Sequence, residues 1–441
     1  MSDLTIFLML PLLLIIILMG FPVAFSLILV SFAFGYWILG DGIVFQVVSK
    51  IDDIASHSVL AAVPLFIFMG AMLERSGIAD RLFEVVHIWT RRLPGGLAVG
   101  AIVLGTIFAA ASGIVGATET VIGMLALPVM MRHNYDKSLI SGSICASGSL
   151  GTVIPPSITV IVLGPVANVS VGDLFAGLLA PGLIMAFLFI AYVIGIAFLR
   201  PSIAPPEPEP EYTISFAEKL KLTLIALLPP ALLIFAVLGT ILMGLATPTE
   251  AAAMGALGTV ILAFAYGRLS LEVIRVAVKH SAGITAMILL IVLGGSVFAG
   301  VFFAGGGLAT IQNLLSTSGI EGWQALAIIL ALSFLLGFMM DLISVILIVI
   351  PISMPVIAHF GYDPIWFSVA FLVTLQTSYL TPPMAPSIFY LRAIAPSEIT
   401  LRHMYRGVLP FIAVQLFTLL LVLGFPSLAL WLPDALSGPS W

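Results

Sequence analysis

Charge is what this 441-residue chain has least of: 8% of its residues are Asp, Glu, Lys or Arg, against 61% hydrophobic ones, and its mean hydropathy is +1.23. A soluble core of this size has no use for that proportion, so the composition excludes a soluble domain and implies a polytopic membrane protein. A single cysteine, Cys145, excludes an intrachain disulfide and a cysteine-based metal site. No Gly-Lys pair occurs, so the phosphate-cradling G-x-x-x-x-G-K-[ST] loop of an ATP-driven pump is missing. The six histidines show no metal-binding spacing, and His133, His280 and His403 read as ordinary interface residues. There is no basic footprint for nucleic acid. Nor does any apolar stretch hold a nucleophile with a base, or a metal cluster, so the chain is expected not to be an enzyme and to carry no cofactor. A channel would need a continuous polar pore, which the pattern lacks.

What is present is apolar length. At about 20 residues per crossing the chain has room for roughly ten to fourteen spans. The first apolar run, from Thr5 to about Gly20, lacks a basic n-region and a small-residue cleavage site and reads as a retained helix. The Pro/Glu-rich stretch 201–216 reads as a solvated linker between a first half, 1–200, and a second, 217–441.

The halves match. "LPVMMRHNYDKS" and "MPVIAHFGYDPI" align at Pro128/Pro355, Val129/Val356, Tyr135/Tyr362 and Asp136/Asp363, and the same offset carries Pro155 and Pro156 onto Pro382 and Pro383. Internal duplication of this kind marks transporter folds. Cytoplasmic loops retain Lys and Arg. Threading the chain from an external N-terminus through helices at about 4–20, 22–40 and 58–75 places Arg75, Arg81, Arg91 and Arg92 inside. Each half then holds five crossings and one re-entrant hairpin, at about 95–131 and about 325–358, followed by a broken helix at about 138–164 and about 364–392. Only Lys50 of the 16 basic residues falls outside. Five is odd, so the repeats insert with opposite polarity. The expected fold is all-α, an inverted repeat with both termini periplasmic and the linker cytoplasmic.

The broken helices carry the chemistry. Proline has no N–H, so Pro155 and Pro156 free the carbonyls of Gly151 and Thr152, and Pro382 and Pro383 free those of Ser378 and Tyr379. A desolvated monovalent cation suits such carbonyls, helped by hydroxyls at Ser112, Thr118, Ser147, Ser149 and Thr152 in one half and Ser344, Thr377 and Thr381 in the other. The half-helices that resume after the prolines point N–H groups and a positive dipole end at the midplane, which favours an anion, a carboxylate above all. Asp136 and Asp363 fit helix caps, as does Glu250 after "TPT". Glu119 and Asp341, near the hairpin tips, are ionisable groups at membrane depth and so candidates for function, with capping or pairing as the alternative. Arg392 reads as an anchor at the inner end of the second broken helix.

The motifs "PLFIFMGAMLERSGI" (64–78), "AAASGIVGATETVIGMLALPVMMRHNYDKSL" (109–139), "GSLGTVIPPSI" (148–158), "TPTEAAAMGAL" (247–257), "GFMMDL" (337–342) and "LQTSYLTPPMAPSIFYLR" (375–392) make the chain resemble, over its whole length, the large membrane subunit of tripartite ATP-independent periplasmic (TRAP) transporters. The resemblance implies an elevator-type importer of the bacterial inner membrane, driven by sodium ions. A periplasmic substrate-binding protein would deliver a small organic acid anion, and a small four-helix membrane subunit would stand beside the permease. It places one sodium site at Ser112, Gly113, Gly151, Thr152 and Pro156, and a second at Met339, Asp341, Thr377, Ser378, Thr381 and Pro383. Substrate contacts fall to Thr118, Ser157, Thr159, Asp341 and Ser387. The chain departs from the family at Thr118, where many members carry aspartate, and at Met384 and Ala385, where many have a glycine. The rival expectation is a stand-alone elevator carrier for dicarboxylates.

Overall fold

The computed structural model describes residues 5–113, 115–206, 215–382 and 385–437, and among these every regular element is helical. In the first half these are α1 (Met9–Leu18), continuing a short turn from Thr5, α2 (Val23–Leu39), α3 (Gly42–Ser56), α4 (Ala62–Arg75), α5 (Ile78–Thr90), α6 (Gly96–Ser112), α7 (Val115–Arg132), α8 (Lys137–Ser149), α9 (Ile158–Ala167) and α10 (Val171–Leu199). The second half has α11 (Phe216–Ile234), prolonged through a wide turn into α12 (Thr240–Leu242), then α13 (Pro248–Ala265), α14 (Leu271–Ala304), α15 (Gly307–Ser318) and α16 (Gly322–Leu336). It closes with α17 (Leu342–His359), α18 (Pro364–Leu380), α19 (Pro386–Ile394), α20 (Leu401–Gly424) and α21 (Ser427–Ser437).

The duplication seen in the residues recurs in the elements. Helix pairs α6–α7 and α16–α17 start at 96 and 115 against 322 and 342, and the broken helices α8/α9 and α18/α19 start at 137 and 158 against 364 and 386. Their starts are set by local chemistry. Asp136 accepts from the N–H groups of Ser138 (2.8 Å) and Leu139 (3.1 Å), and Asp363 from those of Ile365 (2.7 Å) and Trp366 (2.9 Å), capping donors that a helix cannot pair internally. Thr247 and Glu250 form a reciprocal capping box at the start of α13, the role its sequence suggested.

Among the described residues six helices are each long and apolar enough to cross a membrane, α4 and α5 together make a seventh such span bent by 64°, and further apolar helices of 10–17 residues include α6, α9, α16 and α18 at the hairpins and breaks. Three elements had no sequence expectation. Helix α3 lies along a stretch read as a loop, α15 follows α14 after one turn, and α21 extends the second half. The counterpart of α3 and α4 is a single unbroken helix, α14, about 50 Å long at 1.5 Å per residue.

Loops bearing basic residues gather at one end. The Arg81 guanidinium lies 4.3 Å from the Tyr266 ring centroid, the Arg268 side chain packs on Gly77, Trp89 donates to Thr223 (2.8 Å), and the Asp136 N–H donates to Ile203 (2.8 Å). At the other end Thr249 donates to the Ser58 carbonyl at 2.7 Å. Between them the broken helices form the interior, with every residue from Leu139 to Ser149 and from Ile365 to Leu380 buried. Helices α8 and α20 touch backbone to backbone. A Cβ on Gly142 would lie 2.2 Å from the Gly407 carbonyl oxygen, and one on Gly407 would lie 2.1 Å from that of Ser138.

Candidate functional site

The first helix break is built from a turn and a hairpin tip. After α8 the chain tightens through Leu150–Thr152, passes a cis Pro155–Pro156 bond and resumes as α9 from an extended Ser157. Onto this break folds the end of α6. Gly113 caps it at φ +62, and a Cβ there would sit 2.6 Å from the Pro156 carbonyl oxygen, so only glycine allows the contact. The Ser112 and Thr118 hydroxyls lie 3.1 Å apart across the hairpin turn. The structure thus brings together Ser112, Gly113, Thr118, Pro156 and Ser157, with Gly151 and Thr152 on the break itself. Ser112, Thr118, Thr152 and Ser157 are buried, and the hydroxyls of Thr152 and Ser157 have no hydrogen-bond partner. Buried hydroxyls beside carbonyls that proline has freed supply the oxygen lone pairs that a small cation needs. Thr159 follows on the first turn of α9 and is buried.

The second break repeats the arrangement with other residues. Helix α18 ends at Leu380, Thr381 is extended, and α19 resumes at Pro386; Pro383 lies outside the described residues. Here the tip glycine is Gly337, where a Cβ would fall 2.0 Å from the Ser378 hydroxyl oxygen. Thr377, Ser378 and Thr381 donate their hydroxyl protons to carbonyls of their own helix at 2.8, 2.7 and 2.6 Å, which leaves lone pairs facing outward from those bonds. Met339 lies in the turn between α16 and α17, its N–H on the Leu336 carbonyl. Asp341 caps α17, accepting from the N–H groups of Ile343 (3.1 Å) and Ser344 (3.2 Å) and from the Ser344 hydroxyl, and it is exposed. Ala385 holds φ +29, a conformation at ease only for glycine, at a place where the family resemblance anticipates glycine.

Glu119 ties the halves together. It is fully buried, one carboxyl oxygen accepts from the Ser387 hydroxyl on α19, and the other has no partner. Its chain lies over Gly148, where a Cβ would come within 1.7 Å of Glu119 Cγ. Ser387, expected to face substrate, is therefore engaged with Glu119. Sequence reasoning also missed Gln376 and Gln415, whose amides both donate to Ser149 (3.3 and 3.2 Å). The signal was there: an amide at position 415 amid apolar residues is costly at membrane depth unless paired. Arg392 donates to the Ile399 carbonyl at 3.0 Å, an anchor outside the two breaks.

Comparison with known proteins gives this architecture a family. The model of the tripartite ATP-independent periplasmic transporter DctM component matches residues 10–428. The chain belongs to that family, which decides between the two sequence expectations in favour of a TRAP large permease, a multi-pass membrane transporter subunit and not an enzyme. It is 29% identical over 386 residues to the C4-dicarboxylate TRAP transporter large permease DctM of Pseudomonas aeruginosa, covering 87% of this chain and 88% of the relative. It is 32% identical over 432 residues to the ectoine/5-hydroxyectoine TRAP transporter large permease UehC of Ruegeria pomeroyi, covering 95% and 96%. The sialic acid TRAP transporter large permease SiaM of Vibrio cholerae is 29% identical over 424 residues. Among solved structures the YdaH transporter of Alcanivorax borkumensis shares the fold, with a TM-score of 0.64 at 15% identity over 90% of each chain.

Proposed function

We propose that the chain is the large permease of a sodium-coupled importer of a small organic acid anion, working by an elevator motion in the bacterial inner membrane. Its partners are a small four-helix membrane subunit and a periplasmic binding protein that delivers the substrate. Both termini are periplasmic and the linker is cytoplasmic, because the basic loops gather at one end and such loops stay inside. The observation that carries the reading is the doubled contact of a hairpin-tip glycine with a helix break, Gly113 on Pro156 and Gly337 on Ser378. At each, buried hydroxyls offer oxygen ligands to sodium, joined at the first break by the proline-freed carbonyls of Gly151 and Thr152, whereas at the second the Ser378 carbonyl, expected to be free, accepts the Thr381 N–H at 3.1 Å; the resuming half-helix offers N–H groups to a carboxylate.

In this mechanism the first site is Ser112, Gly113, Gly151, Thr152 and Pro156, and the second Met339, Asp341, Thr377, Ser378, Thr381 and Pro383, with Thr118, Ser157 and Thr159 toward the substrate and Ser387 held by Glu119. Filling each site draws a hairpin tip onto its break and closes the interior over the anion. The block holding both breaks then moves against the outer helices α2, α4 and α14. The relatives' substrates, C4-dicarboxylate, sialic acid, ectoine and isethionate, support an anionic acid group as the common feature.

Uptake of radiolabelled dicarboxylates, sialic acid and ectoine by the reconstituted complex, with its binding protein and an imposed sodium gradient, tests this. One substrate accumulates only when sodium is high outside. Accumulation that ignores the gradient overturns the coupling.

A further inference from the structure

Helix α3 places Gln46, Lys50 and Asp53 on one stripe, which His57 continues just past its end, at spacings of four, three and four residues. The opposite face shows Val44, Phe45, Val48 and Ile51, 49–80% exposed, as a helix lying against lipid would. The polar stripe borders a cavity of about 310 Å³. Its far wall is Val162 and Pro165 of α9 with Leu347 and Pro351 of α17, the helices that leave the first break and the second hairpin tip. That volume is the size of a small-molecule site. His57 also borders the neighbouring cavities, one of which reaches the Asn168–Gly172 turn, so the space opens toward the end of the molecule away from the basic loops.

Two further observations mark the stripe. Lys50 is the one basic residue expected at this end, and its ammonium is held 2.9 Å from Asp53 by a partly exposed pair. Such a pair is weak, so another carboxylate can take Asp53's place. The stripe is also absent from the second repeat: at the 227 offset Lys50, Asp53 and His57 become Ala277, His280 and Ile284, inside unbroken α14. Both helix breaks are duplicated and this is not. A task that belongs to one side of the membrane, receiving the substrate, needs its residues only once.

We propose that Lys50 and His57 form an outer receiving site for the substrate's carboxylate, with Asp53 as the resident anion that the substrate displaces. The inference rests on the reading of the chain as an anion importer with this end outside.

Lys50→Gln, Lys50→Arg and Asp53→Asn are tested in the reconstituted complex by the half-saturating concentration of substrate-loaded binding protein, alongside the complex's affinity for substrate-free binding protein. Lys50→Gln raises half-saturation about fivefold with little change in maximal rate, Lys50→Arg restores it, and Asp53→Asn lowers it about twofold, because the competing carboxylate is gone. The opposite signs separate receipt of an anion from support of the helix. Unchanged half-saturation in Lys50→Gln overturns the proposal, as does a rise in Asp53→Asn equal to that in Lys50→Gln. Weakened affinity of Lys50→Gln for substrate-free binding protein also overturns it, placing Lys50 in docking. Uptake without sodium dependence in the unmodified complex removes the parent reading; normal sodium-driven uptake with unchanged Lys50→Gln kinetics removes only the receiving site.

Discussion

Ser149 and Gln376 stand at the same position in the two repeats, 227 residues apart, and bond directly: Gln376 Nε2 donates to Ser149 Oγ at 3.3 Å with both residues fully buried. The bond joins repeat mates directly and ties the two halves together deep in the interior. Ser149 also accepts from Gln415 and donates to the Ala146 carbonyl at 2.8 Å. With both lone pairs and its proton engaged, Ser149 is no cation ligand, which corrects the sequence expectation for it.

Ser149→Ala therefore removes the acceptor shared by two buried amides, leaving Gln376 only its contact with the Met185 sulfur at 3.2 Å, and lowers stability by about 1–3 kcal/mol. Thermal unfolding of the purified protein registers the loss, while the sodium concentration for half-maximal uptake stays as in the parent. A shifted sodium requirement with an unchanged midpoint would return Ser149 to the ion site.

Glu119 and Ser387 give a second expectation. Ser387→Ala leaves a buried carboxyl group with neither oxygen paired, whereas Glu119→Gln keeps an acceptor for the Ser387 hydroxyl. A double-mutant cycle on thermal stability gives a coupling of about 1–3 kcal/mol, with Glu119→Gln the milder single change. Additive effects would show that the contact carries no energy.

At the second break the spacing between hairpin tip and helix leaves no room for a side chain. Gly337→Ala puts a methyl group 2.0 Å from the Ser378 oxygen and must push the hairpin tip off the break. Uptake needs about tenfold more sodium for half saturation, since one binding element is displaced by a contact worth about 1.4 kcal/mol or more. Gly424→Ala, with nothing within 4 Å of the added carbon, is the control: sodium dependence holds and stability rises by about 0.5–1 kcal/mol. Equal sodium dependence in both variants would sink the assignment.

Orientation is checked by labelling. Cysteines at Asn134 and Ala358, both exposed at the ends of α7 and α17, are introduced into a Cys145→Ser background. A membrane-impermeant thiol reagent applied to oriented vesicles reaches one from outside and the other only from inside. Reaction of both from one side is incompatible with inverted repeats.

The breaks and caps were legible because their chemistry is local: a proline pair frees carbonyls wherever it falls, and Asp136 and Asp363 meet donors two and three residues away. The Glu119–Ser387 contact was not, since it joins residues 268 apart that are not repeat mates: the 227 offset carries Glu119 to Ile346 and Ser387 to Val160. Helix α3 escaped notice because its polar stripe faces a cavity that only the folded chain creates. Thr118 shows a third case. Its hydroxyl meets that of Ser112 at the first hairpin tip, while the acid one residue later turns away to reach α19.

The glycine seam between α8 and α20 has a mechanical consequence. With Gly142 and Gly407 in backbone contact there is no side-chain layer to act as a bearing, so the two helices cannot slide past each other. Any displacement of the first break drags α20 along, and α20 carries Leu409, Leu416, Phe417 and Leu420 exposed on its surface. In the elevator motion proposed above, those side chains plough through acyl chains. Under that motion bilayer viscosity acts as a drag coefficient on the transport cycle, and turnover is coupled to the fluidity of the host membrane.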